Sequence, residues 1–209
     1  MSLFINRRFS TTSLAAVFAL AVGLHAGTAR AVVIVLGDGF AQNCYEAAYA
    51  VSKDLMYIPP VLTGSQIDLT PVQLCNAALE QSTLVGHNLA GTHVNRGVLL
   101  FLQGDHAAAL KDFEAAIRID ADIGEAHANR GASLVAMKRW ADSIPSITKG
   151  IELQAAEIEK SYYNRAIANE ELGNVRGAYF DYMKAAELKP DWEAPKVQLS
   201  RFMVRKKGT

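Results

Sequence analysis

Any chemistry in this chain would rest on few side chains. Beyond the amino-terminal thirty residues stand four histidines, His87, His93, His106 and His127, and two cysteines, Cys44 and Cys75. An acid–base histidine needs a nucleophile or carboxylate within hydrogen-bond reach, and a metal-binding histidine needs partners at fixed offsets. His87 and His106 have no Cys, Ser or carboxylate companion at such spacing. No nucleophile elbow, phosphate-binding glycine loop, metalloprotease pair or calcium loop occurs, and Gly37-Asp38-Gly39 is too short to cradle a phosphate. The adjacent carboxylates Glu170 and Glu171 read as solvated side chains. The sequence therefore predicts no catalytic residue, no metal site and no cofactor. A different chemistry is offered by Asn95, Asn129 and Asn164, each followed by an arginine. A side-chain amide both donates and accepts, so a series of amides can hold the main chain of an extended peptide without reading its sequence.

Composition narrows the partner. The 209 residues are half hydrophobic and carry 21 basic against 21 acidic side chains, none of the excess that a phosphate backbone demands, so nucleic acid is not expected. Met1 to Ala31 begins with Arg7-Arg8, continues through the apolar run Leu14 to Leu24 and ends at Ala29-Arg30-Ala31, the pattern of a secretory signal peptide with its cleavage site. The general secretory route is the default, and Arg7-Arg8 leaves the twin-arginine route as the alternative. The apolar run is about half of the roughly 20 residues that span a bilayer. Removing the segment takes away three arginines and no acid, so the mature chain is mildly acidic. In an oxidising compartment Cys44 and Cys75 predict one disulfide, the alternative being two buried thiols.

The elements that must position the asparagines follow from a repeat. Asn95-Arg96-Gly97 recurs as Asn129-Arg130-Gly131 after 34 residues, and as Asn164-Arg165-Ala166 after one more residue than that. Around the first, Val94, Val98, Phe101 and Leu102, then Ala109, Leu110, Phe113, Ala116 and Ile117, recur at three and four, the spacing of two amphipathic helices. Gly104-Asp105, Lys138-Arg139 and Gly173-Asn174 break the hairpins, and Pro190 ends the third. Asp112 and Asp181 follow Arg96 and Arg165 by sixteen residues, which predicts an ion pair between the helices of units one and three. Arg130 meets Ser146 at that offset and is expected to be solvated or free for a ligand.

At these residues the chain resembles the tetratricopeptide repeat family. Unit one supplies His93, Arg96-Gly97, Leu100, Ala109, Phe113 and Ala121 at the family's offsets. Unit two supplies His127, Arg130-Gly131, Leu134, Ser143, Ile147 and Ala155, with Pro145 interrupting hydrogen bonding near the start of its second helix. Unit three supplies Tyr162, Arg165-Ala166, Asn169, Ala178, Tyr182 and Pro190. The resemblance implies an all-α fold, a right-handed α-solenoid of three helical hairpins over 90–123, 124–157 and 158–192. A degenerate hairpin with the disulfide precedes them at 32–89, and a capping helix from Glu193 to Arg205 with a basic tail closes the array within 193–209. In that degenerate hairpin Tyr45 to Asp54 and Val72 to Gln81 read as helices, Thr70-Pro71 as a capped start and Met56 to Leu69 as an irregular loop. His93 and His127 fall where the family keeps a packing aromatic. Helix spacings of about 8 to 10 Å keep equivalent histidines from sharing one metal.

The resemblance also implies a concave groove lined by the first helix of each hairpin. Its expected partner-binding residues are Asn95, Asn129 and Asn164 with Val98, Phe101, Lys160, Tyr163 and Ile167, beside Val94, Ala128, Ala132, Val135 and Glu170. Relatives that clamp a charged carboxyl terminus keep basic residues and asparagines here. Asn129 and Lys160 match that clamp, whereas Val94, Val98 and Asn164 depart from it, so carboxylate capture is not expected. The reading is a non-catalytic scaffold, exported to a bacterial periplasm, that binds a peptide or protein. Its rivals are a self-filled module, with Val32 to Leu36 or the Met56 to Leu69 loop in the groove, and an accessory subunit of an envelope enzyme or a hydrolase with His87 or His106 as the acid-base group. The short apolar run Val32 to Leu36 is expected to lie against the array.

Overall fold

A computed structural model describes residues 3–7, 32–35, 39–53, 61–62, 65–66, 69–81 and 83–206. The apolar run and cleavage motif of the expected signal peptide lie outside the described residues, as do Leu36 and most of the loop from Met56. Periodic apolar positions become helices where expected: α1 Gly39–Ser52, α2 Pro71–Gln81, α3 Gly86–Leu102, α4 His106–Ile119, α5 Gly124–Ala136, α6 Trp140–Glu152, α7 Ile158–Glu171, α8 Val175–Leu188 and α9 Glu193–Leu199. Consecutive helices pack as hairpins, α1 with α2, then α3 with α4, α5 with α6 and α7 with α8, and each hairpin stacks on the next. This is a solenoid of helical repeats.

The repeated small residue has a packing cause. A Cβ built on Gly97 would lie 2.6 Å from the Phe113 ring, and one on Gly131 would lie 2.3 Å from Ile147 Cγ1, so each glycine lets the second helix of its hairpin close in. The turns follow the same rule with one exception. Gly104 and Gly173 adopt φ of 87° and 78°, and Asp105 and Asn174 behind them cap α4 and α8 by accepting from Ala108 N and Gly177 N, each at 3.0 Å. In unit two Lys138 takes the left-handed position at φ 59°, and Arg139 supplies no side-chain cap. The extra residue between units two and three is absorbed in the loop before α7, where Gln154 and Glu157 are left-handed. Helix α6 runs unbroken through Pro145.

Each arginine of the Asn-Arg motif clasps two helices. Arg96 donates through Nε and Nη2 to Asp112 at 2.8 and 2.7 Å, and Arg165 to Asp181 at 2.9 and 2.8 Å, as the offset of sixteen predicts. Their Nη1 groups reach the second helix of the preceding hairpin, Asn76 on α2 and Thr148 on α6. Arg130 donates to Ser146 Oγ and reaches back 3.4 Å to Glu114 on α4. It is thus bound within the same ladder, which corrects the expectation of a free arginine, while its side chain is the most solvated of the three, as the alternative expects.

At the amino-terminal side, Thr70 accepts from Gln73 N and donates its own N–H to Gln73 Oε1, a reciprocal box that starts α2. Cys44 and Cys75 form a disulfide with Cα atoms 4.7 Å apart, and both are buried with Val35, Ala41, Ala48, Ala78 and Leu99. The loop between α1 and α2 holds a small antiparallel pair, β2 Val61–Leu62 with β3 Ser65–Gln66. At the carboxyl end the expected helix to Arg205 is corrected. α9 stops at Leu199, and Phe202–Lys206 forms a strand, β4, antiparallel to β1 Leu3–Arg7. Extension returns the Phe202 ring to α8, where it packs 5.7 Å from Tyr179 and 6.1 Å from Tyr182, which a continued helix would not achieve.

Candidate functional site

The first helices α3, α5 and α7 lie side by side and carry the three asparagines. Asn95 is buried and already engaged. Its Oδ1 accepts from Val33 N at 2.8 Å and its Nδ2 donates to Val33 O at 2.8 Å, so one amide satisfies both main-chain groups of one extended residue. Alternation follows: Val33 and Val35 are 6% and 0% exposed, while Ile34 between them is 64% exposed. Gly91, one turn before Asn95, gives the segment its floor, since a Cβ there would lie 2.9 Å from Val33 Cγ1 and 3.0 Å from Val35 Cγ2. The run at 32–35 thus lies against the array as predicted.

Asn129 and Asn164 border a second, shallower place. With Ala128, Ala156, Glu157, Lys160 and Ser161 they line a shallow depression with room for about one water molecule, and both asparagines are themselves buried. Glu157 organises its rim, pairing with Lys160 at 2.8 Å and with Lys53, just past α1, at 2.9 Å. Burial alone would raise the Glu157 carboxyl, but the hydrogen bonds and charges of Lys160 and Lys53 hold it below its usual range. The Lys160 charge is therefore neutralised locally.

The apolar residues expected to face a partner belong to the interior. Val98 and Phe101 are buried with Val94, Ala109 and Phe113. Tyr163 is buried 5.4 Å from the Tyr182 ring and 4.8 Å from Trp192, and Ile167 is half-buried beside the same cluster. These four support the wall of the face from behind. Glu170 is also corrected: it is buried and accepts from the Tyr182 hydroxyl at 3.0 Å and from Arg201, leaving only Glu171 exposed. Burial and the nearby Glu170 charge push the Tyr182 hydroxyl well above its usual range.

The histidines do unlike work at like offsets. His93 Nδ1 stands 2.9 Å from Asp112 Oδ1, adding a second partner to the carboxylate that Arg96 holds, whereas His127 Nε2 meets the carbonyl of Ala121 at 2.9 Å. Burial alone would raise the Asp112 carboxyl, but hydrogen bonds from Arg96 and His93 keep it below its ordinary range. Exposed His87 pairs with half-buried Asp120 at 2.9 Å, and His106 lies 4.6 Å from the Phe101 ring, where burial lowers its affinity for a proton. Sequence spacing revealed Arg96 with Asp112. It missed His93, although a residue three before an arginine on a helix shares its face.

Two stretches match family models described as tetratricopeptide repeat, residues 90–123 and 159–191. The chain carries tetratricopeptide repeats. Superkiller complex protein 3 from Homo sapiens is 26% identical over 170 residues, covering 76% of this chain and 10% of the relative. The chain thus spans about a tenth of the length of that curated relative. Among solved structures, the first TPR of Spaghetti (RPAP3) bound to the HSP90 peptide SRMEEVD is similar at 22% identity and TM-score 0.52, covering 56% of this chain and 91% of that one. The Arabidopsis OM64 TPR domain gives 21% and 0.53 over 55% and 94%. The MamA RS-1 ArsTM double mutant gives 18% and 0.53 over 62% and 70%. At such identities the likeness is one of fold.

Proposed function

We propose that the chain is a non-catalytic scaffold that binds an extended segment of a protein partner on the face formed by α3, α5 and α7, and that it does so in the periplasm after loss of residues 1–31, a step that takes β1 from beside β4. The observation that carries the binding reading is Asn95, which holds the N–H and C=O of Val33 as it would hold those of a ligand. A structural neighbour bound to a peptide supports the same use of the fold. The partner differs from an acidic carboxyl terminus, because Val94 and Val98 are buried and apolar and Lys160 is neutralised by Glu157. Bait binding from envelope extract tests the reading. A partner retained by the full chain and lost from a folded Asn129→Ala, Asn164→Ala variant supports it, and equal recovery by both overturns it. Export is tested separately by the mass of the secreted chain, expected to begin at Val32.

The self-filled module is favoured by a specific observation as well, the seating of Val33 and Val35 on unit one. The two readings part on whether that segment ever leaves.

A further inference from the structure

We infer that the processed chain pairs with a second copy of itself through β4, strand against strand about a two-fold axis at Val204, and that β1 is an internal stand-in for the second copy's strand that keeps the precursor monomeric. The inference rests on the loss of residues 1–31 put forward above and names the occupant of the strand edge that this loss opens.

Among the described residues β4 has one strand neighbour, β1, and all of β1 lies within the segment that processing removes. What holds β4 to the array does not leave with it. Phe202 is buried against Tyr179 and Tyr182 of α8, so the extended strand keeps its anchor while its edge loses a row of hydrogen-bond partners. An edge of that kind is a template for another strand.

The residue types of β1 identify that strand. Across the ladder Arg7 stands opposite Phe202, Asn6 opposite Met203, Ile5 opposite Val204, Phe4 opposite Arg205 and Leu3 opposite Lys206. A second β4, laid antiparallel with Val204 opposite Val204, brings Lys206, Arg205, Val204, Met203 and Phe202 to the same five places. Each place keeps its kind: a basic residue faces Phe202, a polar one Met203, a β-branched one Val204, and large apolar ones Arg205 and Lys206. Leu-Phe-Ile-Asn-Arg and Phe-Met-Val-Arg-Lys thus carry one pattern in chain order. This register alone pairs all five positions, and it sets no two basic residues directly opposite. Moving the axis to residue 205 would put Arg205 against its own copy, which destabilises a ladder. Two identical strands paired in this way form an isologous contact, which closes as a dimer.

The place that β1 occupies is more than a ladder. Ile5 packs on the cluster of Tyr163, Tyr182 and Phe202, and β1 lies against α8. In the dimer the second copy's Val204 succeeds Ile5, one β-branched residue for another. The same helix exposes Phe180 and Met183, and the Phe180 ring adjoins the cluster through Tyr179 at 5.6 Å, so apolar surface continues beside the ribbon. A two-stranded ribbon by itself is marginal in water, so this support decides that the dimer is reversible and set by concentration.

The test is sedimentation of the secreted chain, whose mass shows where it begins. A chain starting at Val32 is expected to pass from monomer to dimer as its concentration rises, while the full chain stays monomeric. A processed chain that remains monomeric at its solubility limit overturns the inference. Because Val204 meets itself on the axis, Val204→Lys is expected to abolish the dimer, and an equal amount of Val204→Asp to draw the Val204→Lys chain back into one. A dimer that survives Val204→Lys, or a mixture that restores nothing, overturns it. Should either variant melt below the unmodified chain, a synthetic peptide of residues 3–7 decides: excess peptide is expected to dissociate the unmodified dimer, and an undisturbed dimer overturns the inference. A secreted chain that still begins at Met1 removes the export reading, and the full chain carrying Ile5→Asp, which sets a charge against the apolar cluster, then decides. Dimer formation by that chain supports the pairing, and a monomer overturns it. Each of these outcomes is independent of whether a partner is recovered on α3, α5 and α7.

Discussion

Unit two is a natural deletion of a clasp that its neighbours keep, and restoring it is a direct trial of the packing argument. Arg96 and Arg165 each hold a buried aspartate through two parallel hydrogen bonds, whereas Arg130 meets the hydroxyl of buried Ser146 and a partly exposed Glu114 at 3.4 Å. Ser146→Asp places a carboxylate at the offset of Asp112 and Asp181. Charge-assisted hydrogen bonds contribute about 1.5 to 3 kcal/mol against about 0.5 to 1.5 for neutral ones, and desolvating the new carboxylate takes part of that back. The Asp112 carboxyl stays below the ordinary 3.8 despite burial with Arg96 and His93 both bonded to it, whereas Ser146→Asp would have Arg130 without such a histidine, since His127 meets the Ala121 carbonyl. The expected gain is about 1 kcal/mol, or roughly 2 to 4 °C in melting temperature for a chain of this length.

The assay is thermal melting at pH 7 and pH 3 beside Ser146→Asn, which matches the shape of Asp without its charge. A carboxyl whose folded pKa is depressed contributes stability above its unfolded value and loses it as pH falls through the folded one. The advantage over Ser146→Asn should therefore be present at pH 7 and shrink at pH 3. Equal melting of the two variants at pH 7, or an advantage undiminished at pH 3, refutes the reasoning.

Three other outcomes follow from the same structure. Replacing Cys44 and Cys75 with serine together opens a loop of 31 residues and should cost about 3 to 4 kcal/mol by chain entropy, seen as a fall of several degrees under oxidising conditions. Lys138→Gly relieves a left-handed backbone at φ 59° and should add about 0.5 to 1 kcal/mol, with Gly173→Ala, at φ 78°, losing a similar amount. Stability measured by urea should decline as pH falls through 6.5, because burial lowers the affinity of folded His106 for a proton, and more steeply below 4.5 and 3.8, where the carboxyls of Glu157 and Asp112 take up protons in the unfolded chain first. A chain more stable at pH 4 than at pH 7 would contradict all three shifts.

The repeat was legible because one constraint recurs. Wherever Phe113 or Ile147 must reach the facing helix, a glycine stands at the same place in the sequence, and the offset of sixteen between arginine and aspartate survives in two units of three. Glu170 was misread because its partners, Tyr182 and Arg201, come from other elements and leave no local mark. Val98, Phe101 and Tyr163 were placed on the partner face because a first helix packs on both sides. Periodicity marks its apolar positions without saying whether the neighbour is a second helix or a ligand. The strand at Phe202 was hidden for a similar reason, as Val197, Leu199, Phe202 and Met203 fit a helical stripe until the reach to Tyr179 and Tyr182 is known.

Asn95, Asn129 and Asn164 share an offset and not a fate, and the difference lies in what precedes each unit. Before α3 the array has a shortened hairpin of small residues, Ala41, Ala48 and Ala78, cross-linked at Cys44 and Cys75, and its core is completed by Val35 from outside the repeat. The extended segment therefore has two roles at once, filling the core of a deficient hairpin and satisfying the amide of the next. Units two and three have full hairpins before them, with Leu110 and Phe113 on α4 and Ile147 on α6, so no borrowed side chain is needed. Their asparagines are buried beside a shallow depression. An amide at this offset is thus a reader of main chain wherever an extended segment is brought to it, and local core deficiency explains why the chain supplies its own segment at Asn95.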